Sequence, residues 1–222
     1  MPPARRPRGV VAGEPRVRLR GNLRWWRDQF APLEQRAEQD GVGDAYDLLA
    51  RDAADVSPGA DGVVFLPCMQ GAMAPEWNGA ARGVFYGLTL AHTRAHLTRA
   101  VLEGSAFALR DILEAMVAAG LGVRRLTIVG GGAKGALWRQ IKADVTGYPI
   151  RIPTSVETTA TGAAILAAVA AGVHPSIAEA TEAFVSFEPD EHQPDPAARE
   201  SYDAAYRRYR DVYSALKPVF AG

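Results

Sequence analysis

Residues 130–134 read Gly-Gly-Gly-Ala-Lys. They follow a short apolar run, Leu126, Ile128 and Val129, and precede a stretch with Leu137, Trp138, Ile141 and Val145 at helical spacing. Strand, glycine turn and helix N-terminus together leave backbone N–H groups open to a ligand. Glycine permits both the backbone angles and the close approach, and a helix start favours negative charge. Recognition of a phosphate-bearing ligand is the chemistry this arrangement could serve; a tight βα turn that binds nothing has the same pattern.

Other residues could do chemistry only with help. Gly130, Gly132 and Gly135 also satisfy the G-x-G-x-x-G fingerprint of dinucleotide-binding oxidoreductases, which would take NAD. That fingerprint expects an acidic residue about 20 positions on, at the end of the next strand. The next strand reads Tyr148-Pro149-Ile150-Arg151-Ile152-Pro153, with no carboxylate before Glu157, so this reading is the weaker one. His92 and His96 stand one helical turn apart, a metal-ligand spacing, but no third ligand is near in sequence. Asp144 lies on the helix after the glycine turn.

The elements that must position these groups can be traced along the chain. Residues 1–20 hold six arginines, four prolines and one glutamate, and predict a disordered or poorly packed extension. Leu23, Trp26 and Phe30 then mark one face of a helix, and residues 44–54 suggest another around Leu48 and Leu49. A turn at 57–62 precedes the strand Val63–Leu66. Residues 67–82 form a long loop without periodicity, a kind that is often functional. The longest element is a helix over 92–119. It carries two apolar stripes, and its Gly104, Ser105 and Ala108 would admit a neighbouring backbone. Thr154-x-x-Glu157 and Ser176-x-x-Glu179 read as capping boxes for two later helices, the first rich in small residues. Residues 188–197 suggest an exposed linker. Tyr202, Tyr206, Tyr209 and Tyr213 give the last helix an aromatic packing face.

Composition bounds the rest. With 222 residues, 48% of them apolar and 23% charged, the chain can build a core of ordinary globular type. Lysine plus arginine equals aspartate plus glutamate, which argues against nucleic acid as an obligate partner. A single cysteine, Cys68, excludes an internal disulfide. No apolar run is long enough to span a membrane. These features predict a cytoplasmic protein.

The segment VGGGAKGALWRQIKADVTGYPIRIP resembles the adenosine motif of the FGGY carbohydrate kinases. A second stretch is more specific: Gly83-Val84-Phe85-Tyr86-Gly87-Leu88, seven residues, His96-Leu97, then Ala100-Val101-Leu102-Glu103. It fits that family's second signature at every specified position, and the resemblance extends from about Gly21 to Phe220. It implies an α/β fold of the ribonuclease H-like (actin-like ATPase) type, a central sheet with packed helices, forming a C-terminal lobe over residues 21–222. It also implies ATP with its Mg²⁺ as cofactor, adenine nucleotide being held by Gly130, Gly131, Gly132, Ala133 and Lys134. No protein ligand for the metal is assigned.

The resemblance has gaps. The sequence contains no Asp-x-Gly-Thr or Asp-x-Gly-Ser phosphate loop, and no catalytic base is assigned, since the family carries it in its N-terminal lobe. Where the family's 67–82 loop usually has a glutamate–arginine pair and an aspartate, this chain has Ala72-Met73 and Asn78. The expectation is therefore a xylulokinase-like C-terminal domain, a truncated product or one half of a split enzyme, inactive alone and not binding sugar by itself. Its partners would be a separate N-terminal lobe or a second copy. The alternative within the same fold is a non-catalytic interaction or regulatory relic. In either case the Ala160, Ala163, Ala164 and Ala167 face is expected to be uncovered.

Overall fold

The computed structural model describes residues 19–72, 74–133, 135–155 and 157–221. Most of the predicted N-terminal extension lies outside them, but Leu19 and Arg20 already belong to the first helix, α1 (Leu19–Phe30). Trp26 of α1 is buried and its indole N–H donates to Thr98 Oγ1 at 2.9 Å. Asn22 donates to the Pro67 carbonyl at 3.1 Å. Helix α2 (Pro32–Gln39) starts on a proline, whose missing N–H costs nothing at that position. Helix α3 (Ala45–Ala54) is capped by Asp44, which accepts from the N–H groups of Tyr46 and Asp47.

Two strands, β1 (Val64–Leu66) and β2 (Val84–Tyr86), pair antiparallel with Phe65 opposite Phe85. Helix α4 (Arg94–Ala118) runs beneath them for 25 residues. It is buried without a break from Thr98 through Ala108, and beyond that only Leu113 is fully inside. Gly104 explains the close fit: a Cβ there would stand 2.3 Å from the Phe65 carbonyl oxygen. The expected approach of a neighbouring backbone is therefore real, and the neighbour is β1.

Strands β3 (Leu126–Thr127) and β4 (Ile150–Arg151) pair parallel and are joined through α5 (Ala136–Thr146). Helices α6 (Thr158–Ala170) and α7 (Ile177–Phe184) follow, then α8 (Arg199–Phe220). Tyr202, Tyr206 and Tyr209 of α8 are buried against Phe107 of α4, as the aromatic stripe predicts.

The main core gathers α1, α3, β1, α4, α5 and α8, and a smaller one joins Leu113, Leu126, Ile128, Ala143, Ile150 and Ile152. The central sheet is smaller than expected. Among the described residues it is two separate two-stranded pieces, β1–β2 and β3–β4. One capping box also differs. Glu157, not Thr154, occupies the N-cap of α6. Thr154 is drawn instead into bonds with Ser186, its N–H meeting the Ser186 carbonyl at 3.0 Å and its hydroxyl the Ser186 hydroxyl at 2.6 Å. Ser176 caps α7 as predicted, its hydroxyl accepting from the Glu179 N–H at 3.2 Å, while the Glu179 carboxylate meets the Ser176 hydroxyl at 3.4 Å in place of the backbone N–H that a full box would use.

Candidate functional site

The glycine turn sits where β3 delivers the chain to α5. Leu126 and Ile128 fix the strand, their N–H groups donating to Pro149 and Arg151 carbonyls at 2.8 and 3.2 Å. Gly130 then takes a positive φ of 70°, and residues Gly130–Ala133 make one tight 3₁₀ turn. Gly135 stands at the N-cap of α5 with φ 83° and ψ 108°, a conformation closed to other residue types. Among the described residues no side chain caps this helix. The N–H groups of its first turn therefore lack the partner that a serine or aspartate would have provided, which leaves them for a ligand or water. Lys134, predicted to contribute here, lies outside the described residues.

What aims this turn is the seating of α5. Trp138 donates its indole N–H to the Leu102 carbonyl of α4 at 3.2 Å, while Ile141 and Val145 are fully buried. Lys142 lies over the Trp138 ring. At the far end Gly147 closes the helix in the left-handed conformation. Asp144 serves structure: it accepts from the Asp195 N–H and the Gln140 side chain, both at 2.8 Å, and so pins the 188–197 linker to α5. Burial raises its carboxyl above the usual range despite those bonds.

His92 and His96 are committed to turns. The His96 ring contacts the Thr93 hydroxyl and N–H at 2.9 and 3.1 Å, closing the start of α4, and its other nitrogen lies 3.2 Å from Asp61. His92 makes the equivalent contacts with Thr89. Among the described residues no group of three His, Cys, Asp or Glu side chains could hold a metal ion. In the 67–82 loop, Asn78 accepts from the N–H groups of Ala80 and Ala81 at 3.1 and 3.2 Å. That turn-closing role needs an oxygen and not a charge, so asparagine fills it as well as aspartate would.

A buried ionic cluster beside the turn's supporting helices went unread in the sequence. Glu103 accepts from Arg99 Nε at 2.7 Å and from the Gly59 N–H at 3.0 Å, while Arg99 donates to the Tyr202 hydroxyl at 2.7 Å and to the Ala53 carbonyl. Both charged side chains are almost fully enclosed. The cluster ties α3, α4, α8 and the 57–62 turn to one point. An arginine and a glutamate four apart in an otherwise apolar stretch, Ala100-Val101-Leu102 between them, was the available signal.

A short βα glycine turn followed by a helix start without a side-chain cap is an arrangement that suits an anionic ligand. The chain belongs to the FGGY family of carbohydrate kinases, matching that family's C-terminal domain over residues 6–171. It is similar to the gluconokinase of Bacillus subtilis, 40% identical over 152 residues that are 68% of this chain and 29% of that protein. It is similar also to the autoinducer-2 kinase of Salmonella typhimurium, 38% identical over 90% of this chain and 38% of the other. The solved structure of xylulose kinase from Rhodospirillum rubrum superposes with a TM-score of 0.78 at 35% identity, covering 91% of this chain and 39% of that one.

The expected α/β fold of the actin-like sugar kinases is therefore the fold found. The chain spans between about three-tenths and two-fifths of the length of these relatives. No helix among the described residues is long and apolar enough to cross a membrane.

Proposed function

We propose that this chain is the ATP-binding lobe of a xylulose-type carbohydrate kinase, acting in the cytoplasm, in which a sugar hydroxyl receives the γ-phosphate. The observation that carries the reading is the uncapped start of α5 behind the Gly130–Ala133 turn. A positive helix end without a side-chain cap suits an anionic ligand, and its glycines leave room for close approach. Gly130, Gly131, Gly132, Ala133 and Lys134 would hold adenine nucleotide, with Mg²⁺ arriving on the phosphates and taking no ligand from these residues. Bound ATP would supply the phosphoryl group. The chain's own contribution is to bind and orient it, since the sequence contains no Asp-x-Gly-Thr or Asp-x-Gly-Ser phosphate loop to complete the clamp.

On this reading the 222 residues alone do not turn over sugar, and a coupled assay of ADP release with pentuloses, hexuloses and glycerol stays at background. Isothermal titration with ATP and with NAD tests the nucleotide. ATP should bind weakly and NAD should not, and a preference for NAD would sink the proposal. Gly132→Val should remove the ATP heat while the circular dichroism spectrum and melting temperature stay those of the parent, because a β-branched side chain blocks the approach.

A further inference from the structure

Between the long loop that follows β1 and the second half of α8 lies a cavity of about 120 Å³. Cys68 and Ala72 line it from the loop, Tyr209 and Tyr213 from α8, and Ala108 and Asp111 from α4. It shares no residue with the Gly130–Ala133 turn. Lys217 of α8 is bonded to Glu76 of the loop, which holds the two sides of the cavity together.

Polar groups at this cavity lack partners. Tyr209 is 5% exposed and its ring packs on Phe107, yet its hydroxyl makes no hydrogen bond among the described residues. A tyrosine hydroxyl so enclosed normally finds a partner. Asp111 accepts from the Tyr206 hydroxyl through Oδ1 at 2.6 Å, and its Oδ2 accepts nothing among the described residues. The Tyr213 hydroxyl, near the Asn78 side chain, is sealed from solvent and makes no bond of ordinary geometry. Burial is the largest cause that raises the pKa of Tyr209, Tyr213 and Cys68, so all three keep their protons and stay neutral.

Charge selects the class of occupant. The lining carries two carboxylates, Asp111 and Glu76, and two cations, Arg210 and Lys217. Arg210 stands 3.8 Å from Asp111, and Lys217 is paired with Glu76, so the charges balance. An anion would meet the Asp111 carboxylate, and a cation would compete with Arg210 and Lys217 for the same oxygens. A neutral molecule with adjacent hydroxyls meets neither obstacle. One O–H donates to Asp111 Oδ2, a second oxygen accepts from Tyr209, and the carbons lie against Ala108. The volume is that of about four waters, which suits three or four carbons with their hydroxyls. We propose that this cavity is a binding site for a small neutral polyol, held between the Tyr209 hydroxyl and the Asp111 carboxylate.

The test follows amide NMR signals of the full chain as glycerol and erythritol are added, with acetate and ethanolammonium as the anionic and cationic probes. The polyols should shift the signals of 67–76, Ala108, Asp111 and 209–217 and saturate on the order of 10 mM, an affinity suited to so few atoms. Acetate and ethanolammonium should leave those signals in place. Tyr209→Phe should weaken polyol binding about fivefold or more and leave Tm unchanged, because the hydroxyl has no partner within the chain. Ala72→Leu, which fills the cavity, should abolish the shifts; if that variant fails to fold, Tyr209→Phe decides alone. No saturation by about ten times that concentration would make water the occupant and overturn the proposal. So would shifts confined to residues 130–147, equal binding of either ion, or polyol affinity untouched by Tyr209→Phe. A lowered Tm in Tyr209→Phe overturns it too, since the hydroxyl would then be bonded within the protein. ATP is left out throughout, so the outcome is independent of the nucleotide reading.

Discussion

Replacing Glu103 with glutamine would isolate the electrostatics of the buried cluster. The carboxyl is 1% exposed, only Oε1 has partners, and Oε2 has none. Burial pushes its pKa from 4.5 up to about 7, against the opposing pull of Arg99 and the Gly59 N–H. Between those two values the folded chain holds a proton that the unfolded chain has released, so stability falls as pH rises through the window. At about 1.4 kcal/mol per pH unit, the whole window is worth about 3 kcal/mol. Glutamine keeps the oxygen that faces Arg99 and Gly59 and cannot ionise. Its amide nitrogen would sit where Oε2 has no partner, a cost of about 1–3 kcal/mol that does not vary with pH.

The expected result is a difference curve. Urea melts of parent and Glu103→Gln, taken from about pH 4 to about pH 8, should show the variant gaining about 3 kcal/mol on the parent as pH rises, whatever its offset at the acid end. Contributions from groups remote from residue 103 are common to both proteins and cancel in the difference. A flat difference would mean the carboxyl titrates in its ordinary range. A falling one would mean that the Arg99 ion pair outweighs burial, and the reasoning would be wrong in sign.

Gly104→Ala should cost about 3 kcal/mol, read by chemical denaturation, because the new methyl would meet the Phe65 carbonyl oxygen at 2.3 Å in a backbone contact with little freedom to shift; a neutral outcome would mean that β1 and α4 are not packed as described. Cys68 is buried, and burial pushes its thiol up to about 11. It should therefore ignore a thiol reagent at about pH 8 until the chain is unfolded, and rapid labelling of the native protein would contradict its enclosure.

Much of this organisation was legible in the residue order. Helix α4 announced itself because its apolar stripes are long, strand β1 because a short apolar run follows a turn, and Gly104 because a glycine inside an apolar helix needs a reason. The glycine turn was found from its flanking strand and helix, since Gly130 and Gly135 occupy backbone angles that side chains resist. Long-range competition was not legible. Thr154 carries a local capping signature, yet Ser186, 32 residues on, offers it better bonds. Arg99 and Glu103 have the spacing of a surface ion pair, and only the arrival of α8 from 103 positions away encloses them. The small size of the β3–β4 sheet was equally out of reach, because a strand's sequence does not state how many neighbours it will have.

Helix α8 bears on where this protein can be cut. The match to the family's domain stops at residue 171, but Tyr202, Tyr206, Tyr209 and Val212 fill the main core from beyond that point. A clone ended at the family boundary would lose a wall of its own interior, together with the Tyr202 hydroxyl that meets Arg99. Covalent continuity matters less than those side chains do. Pro189 and Asp190 lie exposed in the segment leading to α8, so a protease that nicked the chain there would leave two fragments with their buried surfaces intact. Such a nicked protein would run as two bands on a denaturing gel and elute as one species from a column.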